Sequence, residues 1–156
     1  MRRFTGEAPV LRRDETLILG SQAAEPFLGR GWHEPEGNGR WTAASEAEIL
    51  FSVAADDAAD LVLELSGRPL RLPDRVAFAL NGSPLPSQVF DQADTLVRLP
   101  IRGSGSFWLT ITVEAPTSPS ALGDSTDTRT LGFWISWLRI VENDRADGAP
   151  GRPEAG

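Results

Sequence analysis

Residues 107–113, FWLTITV, carry an apolar side chain at every second position. Successive side chains of a β-strand point to opposite faces of its sheet, so this alternation predicts a strand that buries one face. The other face begins with Trp108 and continues with Thr110 and Thr112. The stretch therefore predicts a half-buried strand, and we interpret the rest of the chain by the same pattern.

Four further segments alternate in this way. Their apolar positions are Ile49, Phe51 and Val53; Leu61, Leu63 and Leu65; Val76, Phe78 and Leu80; and Val97, Leu99 and Ile101. Weaker strand predictions fall on Thr16 to Leu19 and on Arg40 to Ala43. Gly and Pro separate the segments at short intervals, and no longer stretch shows a clean helical period. The pattern predicts an all-β fold, a two-sheet antiparallel β-sandwich of about eight strands.

A tight turn is predicted directly after Leu80. Asn81-Gly82 readily adopts the two positive φ angles of a two-residue hairpin loop. We therefore expect Arg75–Leu80 to pair with a strand around Pro84–Phe90. Asp56 to Asp60 separates two other apolar runs and is typical of a turn whose short acidic side chains accept backbone hydrogen bonds.

Residues 43–59 have a second interpretation. The stretch is rich in Ala and Glu, which favour helices, so it could form one Ala-rich helix. The period of two in Ile49, Phe51 and Val53 favours a strand. We expect the strand, with the helix as the alternative.

The last predicted strand contains a change of parity. Leu131, Phe133 and Ile135 share one face, whereas Leu138 and Ile140 fall on the other. A β-bulge near Ser136-Trp137 would return both sets to the core, because one extra residue restores the register. Trp134 and Trp137 would then both point away from the core. The alternative is a strand that is buried on both faces, and the sequence leaves the two open.

Length, charge and composition narrow the class of protein. A chain of 156 residues fits one domain, which we place at residues 15–142 between polar tails at 1–14 and 143–156. A net charge of −7 disfavours nucleic acid as a partner, since it would repel phosphates. The absence of Cys excludes disulfides and thiolate metal sites. Neither a signal peptide nor a membrane-spanning segment is evident, so we expect no membrane insertion and a cytoplasmic location.

Several short motifs, taken in order, resemble a known kind of domain. They are LGRGWHEPE at 28–36, GRWT at 39–42, LNG at 80–82, SPSALG at 118–123 and DTRTLG at 127–132. In their order and spacing they resemble β-sandwich accessory domains of bacterial proteins of cell-surface polysaccharide synthesis, often found beside glycosyltransferases. The resemblance covers roughly residues 15 to 142.

This resemblance implies a fold and a setting. Such domains look like galactose-binding-type jelly rolls, so a jelly-roll-like sandwich is expected. It also implies a noncatalytic, carbohydrate-binding-like accessory module in surface polysaccharide or glycoconjugate synthesis. The implied partner is a saccharide or a glycosyltransferase.

Outward-facing indoles are the main candidates for a binding surface. Flat aromatic rings suit the apolar faces of sugars, and a solvent-facing sheet normally avoids a cluster of exposed Trp. Trp108, Trp134 and Trp137 are therefore expected to form a platform, with hydrogen bonds from Arg40, Asp127 and Arg129. Interfaces between proteins are also enriched in Trp, so the same surface could serve a protein partner or a homodimer. Trp32 and Trp41, which lie beside Gly, are expected to be structural.

The sequence offers no convincing active site. Paired carboxylates could support a glycoside hydrolase, and the candidates in predicted loops are Glu34, Glu36, Asp91, Asp94, Asp124 and Asp127. Nothing selects a pair among them, and the lone His33 provides a single nitrogen ligand for a metal. A calcium site at Asp124 and Asp127 is conceivable. We expect a non-enzyme without a cofactor or metal.

Overall fold

A computed structural model of the chain describes residues 8–43, 45–57, 59–70, 74–86, 88–90, 95–114, 116–123 and 126–143. Within them lie two short 3-10 helices, Gln22–Phe27 and Ala55–Asp57, and ten strands. In chain order the strands are β1 Leu17–Ile18, β2 Arg40–Trp41, β3 Glu46–Val53, β4 Asp60–Pro69, β5 Asp74–Leu80, β6 Ser83–Pro84, β7 Gln88–Phe90, β8 Thr95–Arg102, β9 Gly105–Val113 and β10 Phe133–Glu142.

The strands form two antiparallel sheets. In the first, which we call sheet I, β10 lies between β4 and the short strands β1 and β2, and β8 pairs with the far side of β4. In the second, sheet II, β9 lies between β3 and β5, and β6 and β7 both pair with β5. The prediction of an all-β, two-sheet antiparallel sandwich is confirmed.

The core fills the space between the two sheets. Phe133 of sheet I meets Phe78 and Phe90 of sheet II edge to face, with ring centroids 6.2 and 5.1 Å apart. The alternating apolar positions predicted for β3, β4, β5, β8 and β9 are all buried except Leu80, which packs partly buried against the core. Burial of one face of every long strand therefore holds the two layers together.

The predicted hairpin forms at Asn81-Gly82. Both residues have positive φ, 52° and 84°, as a tight turn between twisted strands requires. The strand expected around Pro84–Phe90 is divided into β6 and β7, which pair with different parts of β5. This division is one reason for ten strands in place of the predicted eight or so.

The helical alternative for residues 43–59 is wrong. Glu46–Val53 is a strand that pairs along its whole length with β9. Burial of Ile49, Phe51 and Val53 against the opposite sheet outweighs the helix preference of Ala and Glu. Of the turn expected at Asp56 to Asp60, Asp56 and Asp57 belong to a short 3-10 helix, Ala55–Asp57, whereas Asp60 already begins β4.

Residues 8–14 pack against the sandwich, although the sequence predicted a tail as far as residue 14. Leu11 is only 2% exposed, and its backbone N–H donates to the Ser52 carbonyl at 2.9 Å. The Asp14 N–H donates to the Ile140 carbonyl at 2.8 Å. The buried Leu11 side chain and the backbone groups along the outer edge of β3, an edge strand of sheet II, explain why this segment packs against the sandwich. Residues 1–7 and 144–156 of the two predicted tails lie outside the described residues.

Candidate functional site

Strand β10 contains the predicted β-bulge. Its register against β4 shifts between Ile135 and Trp137, which leaves Ser136 as the extra residue. Ile135 and Leu138 are consequently both buried in the core. Trp134 and Trp137 are half-buried and lie outside the core cluster, so the predicted outward direction of both indoles is confirmed. The alternative of a strand buried on both faces is wrong.

The outer face of sheet I gathers the residues that lie opposite these two indoles. Residues directly opposite each other in an antiparallel pair share a face of the sheet. Pairing across β1, β2, β10, β4 and β8 then places the outward side chains in neighbouring rows, of which three hold the two indoles and the charged side chains near them. We call this surface the Trp–Arg face; its rows are Trp41, Trp134 and Arg68; Ile18, Trp137, Ser66 and Leu96; and Arg139, Glu64 and Arg98.

Trp134 is held by contacts around its ring. Its centroid lies 5.4 Å from that of Trp41, and the Arg68 guanidinium lies 5.9 Å from the Trp134 centroid and 5.3 Å from that of Trp41. The indole Nε1 donates to Ser136 Oγ at 3.1 Å. A Cβ on Gly39 would come within 2.2 Å of the Trp134 ring, so only glycine fits there. The ring is thereby fixed in orientation.

Trp137 lies beside a cluster of ion pairs. The Arg139 guanidinium lies 5.0 Å from the Trp137 ring centroid, a cation–π contact, and its Nε donates to Glu64 Oε1 at 2.9 Å. Arg98 Nη1 lies 3.3 Å from the second oxygen, Glu64 Oε2. The Glu64 side chain is only 7% exposed, whereas those of Arg98 and Arg139 are 39% and 41% exposed. A buried carboxylate thus holds two half-exposed guanidinium groups side by side.

A polar depression adjoins this cluster. It has a volume of about 450 Å³ and is lined by Glu64, Arg98 and Arg139 together with Arg13, Asp14, Val141 and Glu142. The indoles, the guanidinium groups and this depression together form a surface that offers flat apolar contact next to hydrogen-bond donors.

Trp108 does not join this surface. It lies on β9 in sheet II, opposite Leu50 of β3. The outer faces of two packed sheets look in opposite directions, so Trp108 and the indoles of β10 are on opposite sides of the sandwich. The prediction of a platform of three indoles is therefore wrong. Alternation placed each Trp outward but carried no information on which sheet a strand joins.

Arg40 is occupied inside the domain. It is only 4% exposed, and its guanidinium donates to the Leu19 carbonyl at 3.1 Å, the His33 carbonyl at 3.1 Å and Glu25 Oε2 at 2.7 Å. A guanidinium bound in this way fixes the segment before β2 to the sandwich. The structure thus separates Arg40 from the Trp–Arg face, against the prediction that it serves a ligand there.

Asp127 and Arg129 form a compact ion pair in the loop before β10. Arg129 Nε and Nη2 contact both carboxylate oxygens of Asp127 at 2.7 to 3.2 Å, and Nη1 lies 2.5 Å from Glu36 Oε2. The side-chain hydrogen bond from Arg129 lowers the pKa of Asp127 to about 2. His33 Nε2 lies 2.7 Å from the Thr130 carbonyl oxygen in the same region. The cluster ties the loop at 33–36 to the loop at 127–130, and its members lie off the strands that carry the Trp–Arg face.

The contacts of Arg129 also involve two of the carboxylates considered above for glycoside hydrolysis. Glu36 and Asp127 both bind Arg129, and a carboxylate with a pKa of about 2 is a poor general acid near neutral pH. Glu34 is exposed in its loop. The remaining candidates, Asp91, Asp94 and Asp124, lie outside the described residues, as does part of the conceivable calcium site. Among the described residues, no group of three or more His, Asp or Glu side chains could hold a metal ion.

A second cleft lies at the loops. Its volume is about 340 Å³, and Glu25, Arg30, Trp32, His33 and Glu34 are among its lining residues. The Trp32 indole N–H donates to the Glu48 carbonyl at 2.9 Å, which anchors the loop to β3. Trp41 is 6% exposed. In these contacts both residues serve the structure, as predicted.

The four charged residues of the Trp–Arg face were missed in the sequence: Glu64, Arg68, Arg98 and Arg139. Each occupies an outward position next to the apolar positions of its strand, so alternation marks all of them as surface residues. What brings them together is the pairing of β10 with β4 and of β4 with β8, which joins strands far apart in sequence. The local pattern predicts that these side chains point outward, but it does not predict which of them are neighbours.

The described part of the chain contains no helix with the length and apolar character needed to cross a membrane. Neither a known family model nor a curated protein matches the sequence. Similarity is found among solved structures.

Three such structures illustrate the likeness. A family 35 carbohydrate binding module from Clostridium thermocellum aligns with a TM-score of 0.50 and 13% identity, over 83% of this chain and 99% of that one. The C-terminal family 6 module of a laminarinase from Zobellia galactanivorans aligns with a TM-score of 0.47 and 13% identity, over 81% and 98%. A family GH115 4-O-methyl-α-glucuronidase gives 0.44 and 14% identity over 70% of this chain, which spans only 15% of that enzyme. The sandwich thus has the fold of the family 35 module.

Proposed function

We propose that this domain is a noncatalytic carbohydrate-binding module whose ligand lies on the Trp–Arg face. The observation that carries the proposal is the pair Trp134 and Trp137, both half-buried on the outer face of one sheet and each beside a guanidinium group. The family 35 carbohydrate binding module, which shares the fold, supports the same class of function.

The chemistry of the face suits a sugar. One side of a pyranose ring presents C–H groups that pack against an indole, and its hydroxyl groups need hydrogen-bond partners. Arg139 lies against Trp137, Ser66 lies directly opposite Trp137, and Arg68 lies against Trp134. Stacking and hydrogen bonding are therefore available at adjacent positions.

We therefore expect no glycoside hydrolysis by this domain. The two candidate carboxylates whose contacts are described, Glu36 and Asp127, are both paired with Arg129. Ion-paired carboxylates stabilise a loop and are poorly suited to transfer protons.

Calorimetric titration of the intact chain with a panel of oligosaccharides tests the proposal. We expect one or more to bind, and Trp137→Ala to weaken that binding about tenfold, as loss of a stacking contact implies. Trp108→Ala is the matched control, because it removes a half-buried indole from the opposite side of the sandwich. Binding by no member of the panel, or equal losses in the two variants, would contradict the proposal.

A protein partner or a second copy of the chain is the alternative ligand of this face. Ile18 and Leu96 end the row of Trp137 and are 37% and 49% exposed, so three apolar side chains lie in one row with Ser66. Such a row is compatible with a protein interface. Light scattering separates the two: a stable dimer that Trp137→Ala converts to monomer would favour the alternative, and a monomer would favour the saccharide.

We further propose a setting in the synthesis of bacterial surface polysaccharides or glycoconjugates, in the cytoplasm, with a glycosyltransferase as neighbour. The support is the order of the motifs from LGRGWHEPE to DTRTLG along the chain. Loss of the gene is then expected to alter the amount or length of a surface polysaccharide, and an unchanged polysaccharide would speak against this setting.

A further inference from the structure

The Trp–Arg face carries positive charge on a chain whose net charge is −7. Its three rows hold three guanidinium groups, those of Arg68, Arg98 and Arg139, and one carboxylate, that of Glu64. The acidic excess of the chain therefore lies elsewhere, and this face differs in sign from the protein as a whole.

Glu64 orients two of these arginines. Its side chain is 7% exposed, and a carboxylate so deeply buried requires charged partners. One oxygen accepts from Arg139 Nε and the other lies 3.3 Å from Arg98 Nη1, so two like charges are held close together. The carboxylate thus fixes both guanidinium groups before any ligand arrives.

Both arginines keep donors beyond those that Glu64 uses. A guanidinium has five N–H donors, and within the described residues Glu64 takes one nitrogen from each arginine. The two side chains are 39% and 41% exposed, so solvent reaches them. Adjacent guanidinium groups with spare donors match the planar oxygens of a carboxylate or sulfate.

The surroundings restrict where such an anion would lie. On the outer face of β10, Arg139 is followed by Val141, and Glu142 ends the strand. Asp14, whose N–H donates to the Ile140 carbonyl, and Arg13 line the same depression as Glu142. The two carboxylates outnumber the one guanidinium group of this part and would repel an acidic group there. In the opposite direction along β10, Arg139 lies against Trp137, with Ser66 across the strand pair.

We propose, on the basis of the function proposed above, that the Trp–Arg face selects acidic saccharides. The sugar ring lies on Trp137, and its carboxylate or sulfate group binds Arg139 and Arg98. Neutral sugars of the same size bind more weakly, because they leave the paired guanidinium groups without an anion.

The test compares matched ligands on the intact chain. Oligogalacturonides are titrated against the same oligomers with methyl-esterified carboxylates, and a sulfated galactan oligomer against its unsulfated form. We expect each acidic form to bind at least about tenfold more tightly, with a preference that shrinks as NaCl rises from about 0.05 to 0.5 M. The two pairs show which anion the face prefers.

Substitutions of single arginines show which residues produce the preference for the acidic form. Arg98→Gln is expected to remove most of the preference for the acidic form, and Arg75→Gln, which removes one exposed charge from sheet II, is expected to leave it intact. Since Arg98→Gln and Arg139→Gln each deprive buried Glu64 of a partner, Glu64→Gln/Arg139→Gln, which removes both charges of one pair, provides the second variant and is expected to lose the preference as well. Circular dichroism confirms that each variant is folded.

The outcomes separate the two proposals. Equal affinity for acidic and neutral forms, with binding still dependent on Trp137, would overturn the acidic preference and leave the carbohydrate-binding proposal standing. An acidic preference that Arg75→Gln reduces as much as Arg98→Gln would also overturn it, because the effect would reflect overall charge. Failure of every saccharide to bind would remove the carbohydrate-binding proposal itself.

Discussion

Trp134 and Trp137 are an odd number of residues apart, yet both lie on the outer face of sheet I. The extra residue, Ser136, produces this arrangement because it shifts the register between them. Their surroundings differ: Trp134 packs against Trp41 and Gly39, whereas Trp137 lies beside Arg139. Trp137 is thus the indole whose replacement should alter binding with least effect on the fold.

At the same scale, the ion pair of Asp127 and Arg129 predicts a pH-dependent contribution to stability. The pKa of Asp127 is about 2 in the folded protein against an ordinary 3.8, so the stabilisation is complete above the ordinary value and is lost as pH falls through about 2. We expect Asp127→Asn to lower the free energy of unfolding at pH 7 and to have much less effect near pH 2. Urea titrations of the wild type and the variant at the two pH values measure the change in the free energy of unfolding. An equal change at both pH values would contradict a stabilising ion pair of Asp127 and Arg129.

At the scale of the element, β10 determines the geometry of the face. Its pairing with β4 places Trp134 opposite Arg68 and Arg139 opposite Glu64, and its other edge is shared by β1 and β2. The bulge lies near the junction of those two short strands, where the Leu19 N–H donates to the Ser136 carbonyl at 3.0 Å. The bulge therefore accommodates one extra residue while Trp134 and Trp137 stay on the same face.

Deletion of Ser136 tests this role. Without it, Ile135 and Trp137 become consecutive, so that regular alternation keeps Ile135 inward and Trp137 and Arg139 outward, and the pairing with β4 continues without a shift. We therefore expect the deletion variant to keep the fold and most of its free energy of unfolding, about 5–15 kcal/mol for a typical domain. Ser136→Ala is the control, because it keeps the register and removes only the hydroxyl that accepts from Trp134 at 3.1 Å, with an expected loss of about 1 kcal/mol. A deletion variant that loses most of its stability in urea unfolding would contradict the account.

Alternation and parity were enough to predict the half-buried strands, the hairpin at Asn81-Gly82 and the bulge, because each depends on neighbours in sequence. Sheet membership depends on pairing between distant segments, such as β4 with β10. This is why Trp108 was grouped with the wrong indoles and why Arg98 and Arg139 were missed. The polar candidates Arg40, Asp127 and Arg129 belong to ion pairs that form only when the loops at 25–36 and 127–130 fold.

At the scale of the whole molecule, the net charge of −7 conceals an uneven distribution. Composition disfavours a phosphate-rich partner, yet one face of the sandwich presents three guanidinium groups and a single buried carboxylate, which pairs with two of them. A ligand that contacts this face meets a local field opposite to the average one. The two sides of the domain are therefore expected to differ in function. The outer face of sheet I is expected to bind the ligand, and the outer face of sheet II, which carries Trp108, is not.

The central claim is that a saccharide binds the outer face of sheet I, and an NMR titration of the indole N–H signals tests it most directly. The chain has five Trp residues, so five side-chain resonances can be assigned by substitution and followed as oligosaccharide is added. The account predicts that the signals of Trp134 and Trp137 shift and saturate together while that of Trp108 stays in place. Shifts confined to Trp108, or to Trp32 in the loop cleft, would contradict it.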